Sequence, residues 1–553
     1  MRARYLIALL VASPLTLATD LILHNGKVVT VDSAFSIAEA IAITANRIEA
    51  VGSNREILRR RGPTTRLLDL RGRMVLPGLM DSHVHPLGAA LSELREPLPV
   101  IRSIADAQDY ILRKAASTPK GEWIIVPRTF PPRLKELRMP RKEDLDVTSD
   151  HPVLFDASYT VIVNSKALEV SGITRQTPDP PGGEIVRDRS GEPNGMLRNA
   201  QQLLKGLKPR AEFSETERLQ ALREQLERYR AAGLTTVIDR ALSEDELDLY
   251  DKLRRKAPLP VRVTLTWRPD ASGAEEDLVR RIQASRFQGI FKLTLDGGMS
   301  VGTAYMRAPY GEFSRQLHGK TRDDDRGQLF IPPDKLYRIL RAARDKGWSL
   351  TAHAQGGAAV DVLLDAFEKL NQEKPIGSSR SHVLHGSFQS PEAIARMRRL
   401  GILADIQTAW LYFDAPAYTR VFSDREMRWF IPLRSLIENG IVVASGSDHM
   451  TGHDKNRSTN PYNPFLGLWT SVTRKMADGR VLHPEERISR EDALKTYTIW
   501  GAYMAHKENE VGSIEPGKFA DLVVIDRDYL TCPEDTIREI EPVMVFFDGH
   551  RER

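Results

Sequence analysis

Cysteine is almost absent: Cys532 is the single thiol in 553 residues. That excludes an internal disulfide and any cluster of thiolate metal ligands, while leaving the compartment open. Charge of one sign is also lacking. Lys plus Arg number 79 against 74 for Asp plus Glu, a net charge of +5. The two signs are interspersed, as in Arg133-Leu-Lys-Glu-Leu-Arg138 and Arg322-Asp-Asp-Asp-Arg326, so no basic tract marks a nucleic-acid partner. No apolar run reaches the ~20 residues that a membrane helix needs. Internal repeats and low-complexity tracts are missing. So are a P-loop, a dinucleotide fingerprint after a strand and a Gly-x-Ser-x-Gly elbow, which removes three common routes to catalysis.

What is present begins with a leader. Arg2 and Arg4 precede the apolar run Tyr5 to Ala12, and Pro14 and the small-x-small triplet Thr16-Leu-Ala18 follow. This is the layout of a secretory signal peptide. Residues 1–18 are therefore expected to be removed on export to the periplasm or the medium. A first strand, or an uncleaved anchor, is the competing reading, and a cytoplasmic location goes with the absence of export. Residues 20–70 read as short strands. Asp20–His24, the turn Asn25-Gly26 and Lys27–Val31 predict a type I′ hairpin, and Ala40–Ile43 with Arg47–Val51 a second. The tail from Gly512, with Asp521–Ile525 and Pro542–Phe547, has the same texture. The expectation is one small β-sandwich built from both ends, residues 19–73 and 508–553.

Between them, Met74 to His85 reads as one buried strand that ends in two histidines, His83 and His85, its first part apolar apart from the turn pair Pro77-Gly78. In a strand, residues two apart share a face, so both imidazoles aim at one point. Strand patterns recur at Thr235–Asp239, Val261–Trp267, Ile290–Leu295, Ser349–His353, His382–His385, Ile402–Asp405 and Ile441–Asp448. Helical stretches lie between most of them, such as the one that opens on the capping box Ser214-Glu-Thr-Glu217 and repeats Leu219, Leu222, Leu226 and Tyr229 on one face. Glu491 to Ala505 reads as a closing helix. Eight strands alternating with helices predict an α/β fold, a (β/α)₈ barrel over residues 74–507 with residues 86–213 inserted after the first strand. The insertion carries strands at Glu122–Val126 and Pro152–Phe155 and a hairpin from Glu184 to Leu197.

In such a barrel the chemistry sits at the C-terminal strand ends. Those ends hold His83, His85, Lys292, His353, His385 and Asp448, four of only 13 histidines among them. Imidazole, carboxylate and amine without a thiolate suit Zn²⁺, and also Mn²⁺, Fe²⁺ or Co²⁺. A carboxylate such as Asp448 beside the metal takes a proton from water and passes it to a leaving amine. The constellation predicts hydrolysis at a polarised carbon. His382 is the alternative ligand on strand six. Asp448 alone could be a helix N-cap, and any one histidine a core residue. His449 and His453 read as surface rather than substrate contacts. Tyr159, Gln407 and Trp410 are candidates to touch substrate, and Tyr412 and Trp469 to wall its pocket, with ordinary core packing as the plainer reading.

Leu76-Pro-Gly-Leu-Met-Asp-Ser-His-Val-His-Pro86 resembles the first-strand motif of the amidohydrolase superfamily, and Gly512-Ser-Ile-Glu-Pro-Gly-Lys-Phe-Ala-Asp-Leu-Val-Val-Ile525 resembles its C-terminal signature. Asn164 to Leu168, Pro178 to Glu184 and Phe291 to Gly298 are similar to the YtcJ-like branch, which includes N-substituted formamide deformylases. The resemblance implies a metal-bearing barrel with a small β-sandwich, His83, His85, His353 and His385 as ligands, and Asp448 as the acid that activates water. It implies one or two zinc-like ions, with Lys292, carboxylated, as the bridge if there are two. The substrate would be a small molecule with a non-peptide C–N bond, and a homo-oligomer is left open. A deaminase, lactonase or dehydratase would use the same site, and a non-catalytic binding protein is the remaining alternative. The chain departs from the pattern at Tyr159, where relatives often carry histidine, and at His449-Met450 after the acid.

Overall fold

The computed structural model describes residues 19–207 and 213–552. The expected leader, residues 1–18, lies outside them. No helix of the described residues is long and apolar enough to cross a membrane.

Both ends of the chain meet in two facing sheets. One holds four strands in the order Arg47–Gly52, Ala40–Thr44, Leu21–His24, Arg66–Asp69. The other holds six: His550–Arg551, Pro542–Phe547, Leu522–Ile525, Met74–Pro77, Lys27–Val29 and Ile37–Ala38. Leu23, Ile41, Val28, Val75, Leu522 and Phe546 fill the space between them. The expected hairpin at Asn25-Gly26 does not form. Asn25 does turn, at φ 56°, but the strands on either side enter different sheets. Leu21–His24 finds its partners in Ala40–Thr44 and Arg66–Asp69 instead.

The stretch from Met74 to Val84 is two strands rather than one. Met74–Pro77 pairs antiparallel with Leu522–Ile525 in the sandwich. After Gly78 the chain enters the barrel as β1, Leu79–Val84. Glycine is required there, because a Cβ would stand 2.0 Å from Thr235 Oγ1. The barrel continues with β2 (Leu234–Leu242), β3 (Arg262–Trp267), β4 (Ile290–Thr294), β5 (Ser349–Ala354), β6 (His382–His385), β7 (Leu403–Ile406) and β8 (Val443–Ser445), hydrogen-bonded in sequence order and parallel. A parallel bridge between Val84 and His449 joins the first strand to the chain beyond the last.

Helices wrap this sheet. In Glu215–Ala231 the capping box forms as expected, and Leu219, Leu222, Leu226 and Tyr229 are buried. Each such side chain contributes about 1.5–3 kcal/mol of transfer free energy. The expected closing helix is broken in two, Arg490–Thr496 and Ile499–Met504, by the non-helical Thr498 at ψ −104°.

The inserted segment forms its own five-stranded sheet, in the order Glu184–Arg187, Pro193–Arg198, Thr160–Val163, Val153–Asp156, Ile124–Val126. Its core of Ile111, Val126, Phe155 and Ile162 also takes in Val301, from the loop beyond β4. The insertion is thereby fixed to the end of the barrel where the strands point.

Candidate active site

Closure of the barrel assembles the centre. Asp448 N–H donates to the His83 carbonyl at 2.7 Å, and His85 N–H to the His449 carbonyl at 2.8 Å. Asp81 adds a stitch, its Oδ1 accepting from the backbone nitrogens of His83 and Ser447, both at 3.0 Å. Gly446 allows this approach, since a Cβ there would lie 2.6 Å from His83 N. Asp448 stands at φ 55° and His385 at φ 69°, left-handed positions that cost about 1–3 kcal/mol each and persist only where the surroundings impose them. One ligand atom from each of His83, His85 and Asp448 falls within 4.8 Å of the others. The Nε2 atoms of His85 and His83 lie 3.0 and 3.4 Å from Asp448 Oδ1.

The remaining expected groups adjoin this trio. The His385 ring stacks on His83 with centroids 4.8 Å apart and meets His353 edge-on at 4.3 Å. Its Nδ1–H donates to Gln407 Oε1 at 2.6 Å, which leaves Nε2 with a free lone pair. Lys292 Nζ is 3.3 Å from His83 Nε2. His353 sits at the margin, its Nε2–H donating to the Gly297 carbonyl at 3.2 Å. Burial is the main cause that makes these imidazoles poor bases: His83 and His385 are pushed well below 6.5, His353 to about 4, and His85 downward against the opposing pull of Asp448. All are neutral at pH 7, the state in which imidazole binds a metal. Burial likewise brings Lys292 from 10.5 down to about 7, with Asp448 resisting. Neutral nitrogen donors beside one carboxylate fit a borderline divalent cation held by His83, His85 and Asp448, with His385 and Lys292 as further donors.

Behind the centre lies a buried polar network that sequence reasoning missed. Arg240 Nη2 donates to Asp405 Oδ2 at 2.8 Å, Nε to the Ser82 carbonyl at 2.7 Å, and Nη1 to His382 Nε2 at 2.8 Å. His382 Nδ1–H donates to the Arg380 carbonyl at 3.0 Å. Both of its nitrogens are occupied, whereas His385 on the same strand keeps Nε2 free. Gln407, expected to touch substrate, belongs to this layer and not to the cavity wall. It is 1% exposed, with Nε2 donating to Asp405 Oδ1 at 3.1 Å and 3.4 Å from His83 Nδ1. It fixes two ligands from behind, as outer partners of metal-bound histidines do.

In front lies a cavity of about 550 Å³. Tyr159 and Trp410 line it as expected. Trp410 stacks parallel to His385 at 5.1 Å, and Tyr159 meets His353 at 5.4 Å. Tyr412 and Trp469 are not on this wall; they pack on each other at 5.4 Å, and Trp469 is 2% exposed. His449 is not a surface residue either. It is fully buried, accepting from Tyr229 Oη on Nδ1 and donating from Nε2 to the Gly452 carbonyl, both at 2.8 Å. His453 is half-buried against the Ala90 carbonyl.

The insertion adds groups with no periodic signal. Arg133 grips Asp414 through two N–H bonds, 2.7 and 3.0 Å, and reaches Asn460 Oδ1 at 3.3 Å. Asn460 Nδ2 in turn donates to the Asp448 carbonyl at 2.8 Å. Arg128 and Arg268 also line the cavity. Arg268 had a readable signal: it follows Trp267, the last residue of β3, so the strand-end rule applied to β3 finds it.

The profile of the amidohydrolase family matches residues 66–551. The N-substituted formamide deformylase of Arthrobacter pascens is 29% identical over 97% of this chain and 98% of its own length. The putative amidohydrolase YtcJ of Bacillus subtilis is 28% identical over 91% and 94%. Among solved structures, an uncharacterized metal-dependent hydrolase from Pyrococcus horikoshii superposes with a TM-score of 0.66 at 21% identity, covering 93% of this chain and 99% of that one. Barrel, sandwich, strand-end histidines and a match that spans most of the sequence agree: the chain belongs to the amidohydrolase family.

Proposed function

We infer that this protein is a metal-dependent hydrolase of non-peptide C–N bonds, acting on small amides of the formamide type. The observation that carries the reading is the convergence of His83, His85 and Asp448 within 4.8 Å on the floor of the cavity. When bound, a divalent cation such as Zn²⁺ lowers the pKa of water from about 15.7 towards ~7 and polarises a carbonyl. Asp448 receives the proton released by the attacking water and returns it to the leaving amine. Its backbone is pinned for this by His83 and Asn460. Trp410 and Tyr159 present aromatic faces to the body of the substrate. Lys292, depressed to about 7, offers the free amine that carboxylation needs, and in that form it would bridge two ions. We also propose export of the mature chain, on the layout of residues 1–18.

The test is elemental analysis of the purified protein, followed by a panel of amides and formamides with the metal restored. Zinc at one or two equivalents and release of amine are expected. Asp448→Asn is expected to cut turnover by about 10³-fold or more with the fold retained by circular dichroism. Full activity in that variant refutes the assignment of the acid.

A further inference from the structure

Among the described residues the charges on the cavity wall are matched, with one exception. Arg133 is taken by Asp414. Arg128 is engaged by Asp156, at 3.3 Å, and by Met450 Sδ at 3.0 Å. Lys292 and Asp448 belong to the metal centre. Arg268 lines the same cavity, and its guanidinium has neither a hydrogen bond nor an ion pair among the described residues. Asp270, two positions on, feels the Arg268 charge but makes no hydrogen bond or ion pair with it; its carboxylate accepts from Ser272. Arg268 is exposed, but its position is particular. It is the first residue after β3, on the face of the barrel where the chemistry sits, and its charge is felt at Lys292, His85 and Tyr159.

An unmatched guanidinium at the edge of a half-enclosed site is an anion receptor. Its planar fork pairs with a carboxylate through two parallel N–H bonds. The rest of the wall offers aromatic surface, from Tyr159, Phe330 and Trp410. The void, about 550 Å³, has the size of sites that take ligands of a few hundred daltons. We propose that the substrate is an amide with an apolar or aromatic body and a carboxylate remote from the scissile bond, and that Arg268 holds that carboxylate. This rests on the C–N hydrolase reading and adds the substrate class to it.

The test uses a matched pair, 4-carboxybenzyl formamide and its neutral 4-carboxamide analogue, with the metal-loaded enzyme. For the wild type, kcat/KM is expected to favour the carboxylate by about 10–100-fold, the range of a charge-assisted hydrogen bond. In Arg268→Met the preference should fall to about one, and Arg268→Lys should recover part of it. A wild-type enzyme that favours the carboxamide, or a carboxylate preference that survives in Arg268→Met, overturns the proposal. If neither compound is hydrolysed, the C–N hydrolase reading fails separately, and the same pair is titrated calorimetrically. Carboxylate binding at least about 10-fold tighter in the wild type, lost in Arg268→Met, upholds the proposal; equal binding of the two compounds overturns it.

Discussion

Lys292 sits where function and stability oppose each other. It is 4% exposed, its amine is 3.3 Å from an imidazole nitrogen, and burial lowers its pKa from 10.5 to about 7. At about 1.4 kcal/mol per pH unit, that fall is worth at most about 5 kcal/mol. The sign follows from proton counts. Between pH 7 and 10.5 the unfolded chain holds the lysine proton and the fold does not, so unfolding becomes harder as pH rises through this window. Below pH 7 the fold carries the full burden. Lys292→Met keeps the apolar stem and removes the charge, at the loss of one hydrogen bond worth about 1 kcal/mol. Chelator-treated Lys292→Met is therefore expected to be more stable than chelator-treated wild type at pH 7.5, by about 2–3 kcal/mol after reorganisation. Activity should be lost if the amine bridges two ions. The assay is thermal unfolding of both proteins at pH 7.5, 8.5 and 10, where the gap between midpoints should shrink steadily with pH. A variant that is less stable at pH 7.5, or a gap that does not move with pH, refutes the reasoning.

Three further outcomes follow from the groups that support the centre. Gln407→Leu removes the acceptor that holds His385 Nδ1–H, so affinity for zinc in chelator competition should fall about 10–100-fold; unchanged affinity argues against that support. Asp405→Leu leaves Arg240 charged and buried without its partner, a loss of about 3–5 kcal/mol by denaturant unfolding, whereas pairing it with Arg240→Met should restore most of that. Asn460→Ala frees the Asp448 carbonyl and should lower kcat by about tenfold or more at constant metal content; a change confined to KM would place Asn460 on the substrate instead.

The barrel was legible because each of its strands is an apolar run that ends in a polar or turn residue, a local pattern. The candidate ligands were legible for the same reason, since a strand end in this architecture is also an address. The Asn25-Gly26 hairpin shows where local pattern stops. The turn forms, but the strands on either side pair with other segments, Leu21–His24 with Ala40–Thr44 and Arg66–Asp69 and Lys27–Val29 with Ile37–Ala38 and Met74–Pro77, which the local pattern does not reveal. Met74 to His85 reads as one strand because the turn pair Pro77-Gly78 is its only interruption before the histidines; the crowding of Gly78 by Thr235 and the separate pairings show that the chain changes sheet there. Gln407 and Arg240 escaped notice as supports because their partners come from other strands, and Arg133 because it belongs to a segment with no periodicity.

The pairing of Met74–Pro77 with Leu522–Ile525 sets an order of events during synthesis. The peptide that leads into His83 and His85 is anchored by a strand translated more than 400 residues later. Until that strand has left the ribosome, Met74–Pro77 lacks its antiparallel partner and the entry into β1 is held from the sandwich side only by Lys27–Val29. A chain truncated before Leu522 is therefore expected to lose the anchor of the strand that leads into His83, and not only an edge of the sandwich.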